Sequence, residues 1–370
     1  MSGLLSLSRR RAILRRTMHA LQGVFARAEV RGVENIPPRG PLLILFNHLS
    51  TLDGPLVMAN MPGEIELVGP GDFPMTAAGQ LVIRAYGITL INRGRADRGS
   101  LRAVIDHLRA GRMVAMAPDG GTWEKGITDV KDGAAYLSQL TQTPILPVGL
   151  GGLYRVPVPG LAALLSRPRI TITFGEVMPP VPPSADRRHR EADLRAASLA
   201  IMQRIYDLLP PEDRARYDAW GQAIYDLRLE FVAENGAPIV YNGPPLPDLN
   251  ALGEFLAKPN LFRPMWQNAR LVVDPFRESR FFPAMEVRLA ARDLYRTLTT
   301  GTFDVYLQYR LGNERATAAL AGLQAVRDEV CEWALQRGAR LRLTPVIRLP
   351  EEHNVQPNLH PSGVGGVVEG

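Results

Sequence analysis

The 370-residue sequence contains a single cysteine, Cys331. One cysteine cannot form an intrachain disulfide or a multi-cysteine metal site, so both are excluded. No uninterrupted apolar run reaches the roughly 18 residues that a membrane-spanning helix needs, because Pro, Gly and Arg155 break the most apolar stretch, which starts at residue 145. The first residues also lack the order of a signal peptide, since "GLLSLS" precedes the arginines. We therefore expect a chain that does not span the membrane and lies on its cytoplasmic side.

Several catalytic signatures are also missing. No G-x-S-x-G occurs, which argues against a serine hydrolase of the nucleophile-elbow type. No G-x-x-x-x-G-K-[ST] is present, and "VGLGGL" does not complete a dinucleotide-binding fingerprint. The sequence therefore argues against a serine hydrolase of this type, a phosphate-loop nucleotide-binding protein and a dinucleotide-binding protein.

Positive charge is concentrated at the start of the chain. The whole sequence carries +6, and its first 40 residues alone hold eight arginines against two glutamates. Such a segment suits anionic lipid headgroups or nucleic-acid phosphates. Because no recognised nucleic-acid-binding fold accompanies the arginines, we expect a membrane surface as partner and no nucleic acid.

Residues 1–30 are predicted to form a basic amphipathic helix. One helical face holds apolar side chains and the other holds arginines: Leu7, Leu14, Met18, Leu21 and Phe25 against Arg9, Arg15 and Arg16. A helix of this kind either lies in a membrane interface or docks its apolar stripe on its own domain. The sequence leaves both interpretations open.

Between residues 41 and 175, short β-type runs alternate with helix-like segments. The runs are "PLLILF", "EIELVG", "GITLI", "MVAMA", "PILPVGL" and "RITITF". This alternation predicts an α/β fold, with a largely parallel or mixed sheet covered by helices. Ligands usually bind beyond the carboxyl ends of the strands in such sheets.

A smaller C-terminal α/β-type region is predicted after a linker. We place the first domain at 31–235, the Pro- and Gly-rich linker at 236–250 and the second domain at 251–370. In the second domain, "TFDVYLQYRL" alternates apolar residues like a strand, a helix follows from Ala319 to Trp333, and "RLRLTPVI" is predicted to be another strand. It contains no catalytic motif, so a structural, regulatory or oligomeric role is expected.

His48 and Asp53 follow the first strand-like run with an H-x4-D spacing. A neutral imidazole can take a proton from a hydroxyl, and a carboxylate on its other nitrogen fixes the tautomer and stabilises the cation that forms. Six histidines give this spacing several chances to arise. Alone, it also fits a polar loop in which Asp53 caps the next helix.

Cationic and glycine-rich segments follow other strand-like runs. Arg93 comes after "GITLI", and Lys131 follows the loop "APDGGTWEKG". Arginine and lysine at strand ends can hold a phosphate, and glycines let backbone N–H groups approach a ligand. Taken singly, each is equally a solvated charge or a turn; their joint order favours a site.

Over roughly residues 30–210, the chain resembles the glycerolipid acyltransferases typified by 1-acyl-glycerol-3-phosphate acyltransferase. Four blocks occur in the family's order: Asn47, His48 and Asp53; Gly87, Ile91 and Arg93; Pro118, Asp119 and Gly120, followed by Lys131 and Gly133; Pro147 and Val148. The third block departs from the family pattern: Asp119 replaces a glutamate, and no arginine follows the glycines. This departure leaves the acceptor's identity open.

The resemblance implies acyl transfer from acyl-CoA or acyl carrier protein to the hydroxyl of a lysophosphatidate-like acceptor, in phospholipid synthesis. It implies His48 and Asp53 as catalytic residues, with substrate-binding roles for the residues Asn47, Arg93, Asp119, Gly120 and Lys131. No metal or cofactor is implied, and the enzyme is expected to be peripheral to the membrane. The alternatives are transfer to another lipid acceptor, or a non-catalytic lipid-binding protein with a decayed site.

Overall fold

The computed structural model describes residues 6–48, 50, 52–71, 77–94, 97–119, 130–153, 167–258, 261, 262, 265, 266, 269, 274–276, 278–300 and 302–349. They form two compact units. The first contains the described residues up to Gly221 except Arg93 and Gly94, which group with the second unit and its residues from Gln222 onward.

A seven-stranded sheet forms the centre of the first unit. Its strands are β1 (Arg27–Arg31), β2 (Leu42–Phe46), β3 (Glu66–Pro70), β4 (Thr89–Ile91), β5 (Met113–Met116), β6 (Ile145–Gly151) and β7 (Arg169–Phe174). Their order is β1-β7-β6-β2-β5-β3-β4. All neighbours pair in parallel except β6 and β7, which are antiparallel. The predicted mixed, largely parallel sheet is thus confirmed, and each strand-like run forms a strand.

Helices belonging to the first unit flank this sheet. They are α1 (Leu7–Phe25), α2 (Asp53–Asn60), α3 (Ala77–Tyr86), α4 (Arg98–Arg109), α5 (Gly133–Thr141), α6 (Arg190–Asp207) and α7 (Pro211–Gly221). Strand β2 is central, and all five of its residues are buried. A fully apolar run such as "LLILF" suits this place, because a central parallel strand is covered on both faces.

Helix α1 docks on the first unit, which answers the question that its sequence left open. Leu14 and Met18, from the predicted apolar stripe, pack against the core. Arg11 is buried between them and α3, where its Nε donates to Tyr86 O at 2.7 Å. Leu14 and Met18 thus form a docking face, whereas Leu7 and Leu21 of the same predicted stripe are exposed. None of the helices among the described residues is both long and apolar enough to cross a bilayer.

A four-stranded antiparallel sheet forms the second unit together with helices. Strands β8 (Ile224–Val232), β9 (Pro238–Ile239), β10 (Phe282–Pro283) and β11 (Arg340–Arg348) have the order β10-β11-β8-β9. The helices are α8 (Asn250–Ala257), α9 (Ala284–Leu298), α10 (Thr302–Leu311), α11 (Asn313–Ala325) and α12 (Cys331–Gln336), with a π-helical turn at Val326–Val330.

Two expectations for this region differ from the structure. Residues 222–250 belong to the second unit, because β8 pairs with β11 along nine residues and β9 pairs with β8. The unit thus begins before both the expected boundary at 235 and the expected linker. The stretch "TFDVYLQYRL" forms helix α10 instead of a strand, since its buried Leu307 and Leu311 also satisfy the four-residue spacing of a helix.

Candidate active site

His48 and Asp53 meet at the carboxyl end of β2. The chain leaves β2 at Asn47, turns through five residues and begins α2 at Asp53. The H-x4-D spacing is therefore the length of this turn. His48 Nδ1 lies 2.7 Å from Asp53 Oδ2, a hydrogen bond that fixes the orientation of the imidazole ring.

The two side chains of this pair differ in their exposure to solvent. The side chain of His48 is 26% exposed and that of Asp53 is 0% exposed. Asp53 Oδ2 also accepts a hydrogen bond from Ser50 N at 2.7 Å, and its position in the first turn of α2 favours a negative charge. The imidazole can meet a ligand, whereas the carboxylate can act only through the imidazole.

Asp119 reaches the same place from the end of β5. Its Oδ2 accepts a hydrogen bond from His48 N at 2.9 Å. β5 is parallel to β2 and adjacent to it, so the two carboxyl ends meet at one edge of the sheet. The expected role of Asp119 was substrate binding; the observed contact is with the backbone of the candidate base.

Asn47 is fully buried and ties β2 to β6. Its Nδ2 donates to Leu150 O at 2.9 Å, and its Oδ1 accepts from Leu150 N at 2.8 Å. With no exposed surface, Asn47 cannot touch a substrate directly in this arrangement. Its place differs from the substrate-binding role that was expected, and it fixes the point from which His48 projects.

Lys131 joins this group through its backbone. Lys131 N donates to Pro118 O at 3.0 Å, next to Asp119. Arg195 of α6 donates to Val130 O and lies 3.7 Å from Asp132 Oδ1, which anchors the chain on both sides of Lys131. The half-buried Lys131 is thus held beside the strand-end residues.

Arg93 is grouped with the second unit. Its guanidinium carbon lies 5.2 Å from the ring centroid of Tyr306 and 6.0 Å from that of Tyr309, both on α10. A cation over aromatic faces is held by the ring quadrupoles. Gly120, the other expected substrate-binding residue, lies outside the described residues.

The sequence reasoning missed a contact between α7 and the end of β6. Asp213 and Tyr217 lie one turn apart on α7, and both are buried. Asp213 accepts from Gly152 N with both oxygens, at 3.2 and 3.1 Å. The only signal in the sequence was their i, i+4 spacing, which places two side chains on one face without indicating where that face lies.

The family model described as Acyltransferase matches residues 27–151. The chain is 29% identical over 126 residues to 1-acyl-sn-glycerol-3-phosphate acyltransferase alpha of Homo sapiens, covering 33% of this chain and 44% of that protein. It is 28% identical over 125 residues to 1-acyl-sn-glycerol-3-phosphate acyltransferase of Borreliella burgdorferi, covering 33% of this chain and 50% of that protein. The chain therefore spans about half the length of these relatives or less.

A solved structure also resembles this chain. The crystal structure of the 1-acyl-sn-glycerophosphate acyltransferase PlsC from Thermotoga maritima superposes with a TM-score of 0.39 and 18% identity, over 54% of this chain and 83% of that one. The family match places β1 through β6, and with them Asn47, His48, Asp53 and Asp119, inside the matched residues. The four sequence blocks also lie within the residues 27–151 that match the Acyltransferase family model.

Proposed function

We propose that this protein is an O-acyltransferase that moves a fatty acyl group from acyl-CoA or acyl carrier protein to the hydroxyl of a lysophosphatidate-like acceptor. The observation that carries the proposal is the 2.7 Å contact between a partly exposed imidazole and a buried carboxylate at the carboxyl end of a central strand. The names of the relatives support the class of acceptor.

The reaction needs one base and correct placement of two substrates. His48 Nε2 removes the proton from the acceptor hydroxyl as its oxygen attacks the thioester carbonyl. The C–S bond then breaks, and the protonated imidazole returns the proton to the departing thiolate, which leaves as a free thiol. Asp53 stabilises the imidazolium between these two transfers, and no covalent acyl-enzyme is required because the acceptor itself is the nucleophile.

We assign the acceptor's phosphate to Lys131, since its backbone is fixed beside Asp119 and its ammonium is a compact positive charge. A phosphate-binding role for Arg93 remains a prediction, because its guanidinium lies over the Tyr306 ring in this structure.

The His48→Ala variant tests the proposal. With a long-chain acyl-CoA and lysophosphatidate, we expect thiol and phosphatidate to appear together, and both rates to fall at least about 100-fold in the variant. His189→Ala is the matched control, because His189 is an exposed histidine, 3.9 Å from the carboxylate of Asp186. Free thiol and extracted lipid are measured in the same samples.

Other outcomes separate the alternatives. Thiol release that depends on His48 but yields no phosphatidate indicates another acceptor, and a panel of lysolipids and non-glycerol lipids then identifies it. No thiol release from folded protein with several donors contradicts the enzymatic proposal and favours a lipid-binding role.

We further propose that the protein works at the surface of a membrane with anionic lipids. The side of α1 that faces away from the core carries two exposed apolar residues, Ile13 and Val24, at 51% and 50% exposure. The exposed Arg9 and Arg16 share this face. A basic face with projecting apolar side chains suits the headgroup region of a bilayer.

Charge reversal at Arg9 and Arg16 tests the membrane proposal. Each basic residue near an anionic surface contributes about 1 kcal/mol, so the double variant to Glu is expected to bind anionic vesicles at least about tenfold more weakly in a sedimentation assay. Arg102 and Arg109 are exposed on α4, and their reversal to Glu is the control for net charge. Equal losses in both variants, or no loss in either, would reject α1 as the membrane-binding surface.

A further inference from the structure

Asp213 of α7 binds the end of β6 from outside the residues that match the family model. It lies in the first turn of the helix and is 3% exposed. Both of its carboxylate oxygens accept from Gly152 N, at 3.2 and 3.1 Å. A negative charge is favoured in the first turn of a helix, and an ionised acceptor makes a stronger hydrogen bond than a neutral one. The contact therefore ties α7 firmly to β6.

The surroundings of this contact leave the end of β6 little room to move. A Cβ at Gly151 would lie 2.8 Å from Asp213 Oδ2 and 2.4 Å from Thr171 Oγ1, so only glycine fits between α7 and β7. Gly152 has a φ of +74°, in the left-handed region that favours glycine. The two glycines thus let the carboxylate reach the backbone directly. The position of Asp213 therefore determines where β6 ends.

The end of β6 in turn holds the side chain of Asn47. Backbone pairing between β2 and β6 stops at Phe46, opposite Val148. Beyond this pair, the Asn47 amide bonds both the N–H and the C=O of Leu150, at 2.8 and 2.9 Å, in place of the backbone groups of a longer β2. The backbone at His48 is thereby left to form the turn into α2, while the residue before it stays tied to β6.

We infer that Asp213 is a positioning residue for His48, acting through the end of β6 and the side chain of Asn47. Gly152 and Leu150 are two residues apart at this strand end, so a shift of one displaces the other. Asn47 carries the shift to the adjacent His48. Asp213 is too buried to touch a substrate and acts only through these contacts. The inference rests on the proposed function, in which His48 is the base, and it adds a residue from beyond the matched segment.

The Asp213→Ala variant removes the acceptor from Gly152 N. Because a misplacement of about 1 Å at a reacting group can cost about 100-fold in rate, we expect kcat to fall about 10- to 100-fold. KM for both substrates should stay within about twofold, because Asp213 is inaccessible to them. Asp213→Asn keeps an oxygen acceptor for Gly152 N, so it should recover most of the lost kcat. An Asn variant as slow as the Ala variant would overturn the inference.

Ser138→Ala is the matched control, at the opposite end of β6. The buried Ser138 Oγ accepts from Val181 N at 3.0 Å and donates to Thr143 O at 2.8 Å, just before the strand begins. Its loss also takes the side-chain acceptor from a buried backbone N–H, so urea unfolding should show a comparable loss of stability in both variants. Only Asp213→Ala should lose kcat. Equal kcat losses in both variants, or an unchanged kcat in Asp213→Ala, would contradict the positioning role.

Amide hydrogen exchange follows the same path without turnover. The amides of Leu150 and His48 both donate to side chains in the structure. In Asp213→Ala, both should exchange at least about tenfold faster than in the control variant, because the strand end that holds them opens more often. Faster exchange at Gly152 alone would show that the effect stays local, and the inference would be wrong.

The unmutated protein provides a test if Asp213→Ala does not fold. We expect the amides of Gly152, Leu150 and His48 to open together, in a step whose urea dependence is smaller than that of global unfolding. Any other pattern would reject the positioning role. Shared opening in a protein without acyltransferase activity supports the positioning of His48 and rejects the proposed function. An active enzyme in which His48 opens separately rejects the positioning role and keeps the proposed function.

Discussion

Asp53 shows how one carboxylate can organise a turn and an imidazole together. Its Oδ2 receives both Ser50 N and the imidazole Nδ1 of His48, each at 2.7 Å. The first contact closes the turn between β2 and α2, and the second fixes the ring. Because the same oxygen makes both contacts, the orientation of the imidazole depends on the shape of the turn.

Replacing Asp53 with Asn separates shape from charge. The amide is isosteric and retains an oxygen acceptor, but it no longer stabilises the imidazolium, so we expect kcat to fall about 10³-fold. KM should change little because Asp53 is fully buried. Asp186→Asn, beside the exposed His189, is the control. Steady-state kinetics give kcat and KM for both variants. A large rise in KM with unchanged kcat would contradict the catalytic role proposed for Asp53.

At the residue scale, the sequence predicted the contact between His48 and Asp53 better than the packing around it. The H-x4-D spacing spans one tight turn, so the contact between His48 and Asp53 is local and readable. The hydrogen bonds that bury Asn47 depend on Leu150, which is 103 positions away, and no local pattern encodes this contact. Asp119 was found through the family blocks, but its contact with His48 N depends on two parallel strands ending together.

At the element scale, α1 is held by an ionic cluster as well as by apolar packing. Arg11 donates to Glu64 at 2.7 Å and to both oxygens of Glu66, at 3.0 and 2.6 Å. Arg112 donates to Glu66 from another side at 2.8 Å. Breaking a buried ion pair leaves an uncompensated charge, which costs more than the net stabilisation of the intact pair.

The Arg11→Gln variant should therefore destabilise the first unit. We expect a loss of about 3 kcal/mol, the lower end for a broken buried pair because Arg112 still faces Glu66. Urea unfolding followed by circular dichroism measures it. Arg9→Gln, on the exposed side of α1, should leave the free energy of unfolding nearly unchanged; comparable losses would show that the cluster does not anchor the helix.

The same cluster sets a pH dependence. Burial alone would raise the pKa of Glu66, but the hydrogen bonds from Arg11 and Arg112 and the charge of Arg11 outweigh it and hold this pKa below 4.5. The stabilisation is therefore complete above pH 4.5 and is lost as the pH falls through the lower, folded-state value. In Arg11→Gln this acid-dependent loss should be smaller, as urea titrations at several pH values can show.

The secondary structure was predictable where a segment fits one hydrophobic period, and it was not predictable where a segment fits both the strand and the helix period. The six apolar runs of the first unit are short, and all form strands. "TFDVYLQYRL" satisfies both the two-residue and the four-residue period, so tertiary packing decided in favour of α10. The stripe of α1 fits a protein surface as well as a lipid one, and only the docked structure distinguishes them.

At the scale of the whole molecule, the chain passes from the first unit to the second just before β8, which pairs with β11. The length of the chain and the alternation of strand-like and helix-like segments indicated two α/β regions. The proline-rich stretch at 236–250, however, does not mark the boundary between them. That stretch includes β9, which belongs to the second sheet. A linker inferred from composition therefore needs the strand pairing on both sides before it can mark a domain.

The pairing of β1 with β7 sets how short the protein can be made. Residues 27–151 contain both members of the His48–Asp53 pair, but a fragment ending there lacks β7, the neighbour of β1 in the sheet, and α7, whose Asp213 accepts a hydrogen bond from Gly152 N. The residues that match the family model are thus fewer than those of the compact unit, which extends to Gly221. We therefore expect a stable fragment to need β7 and α7 as well as the matched residues.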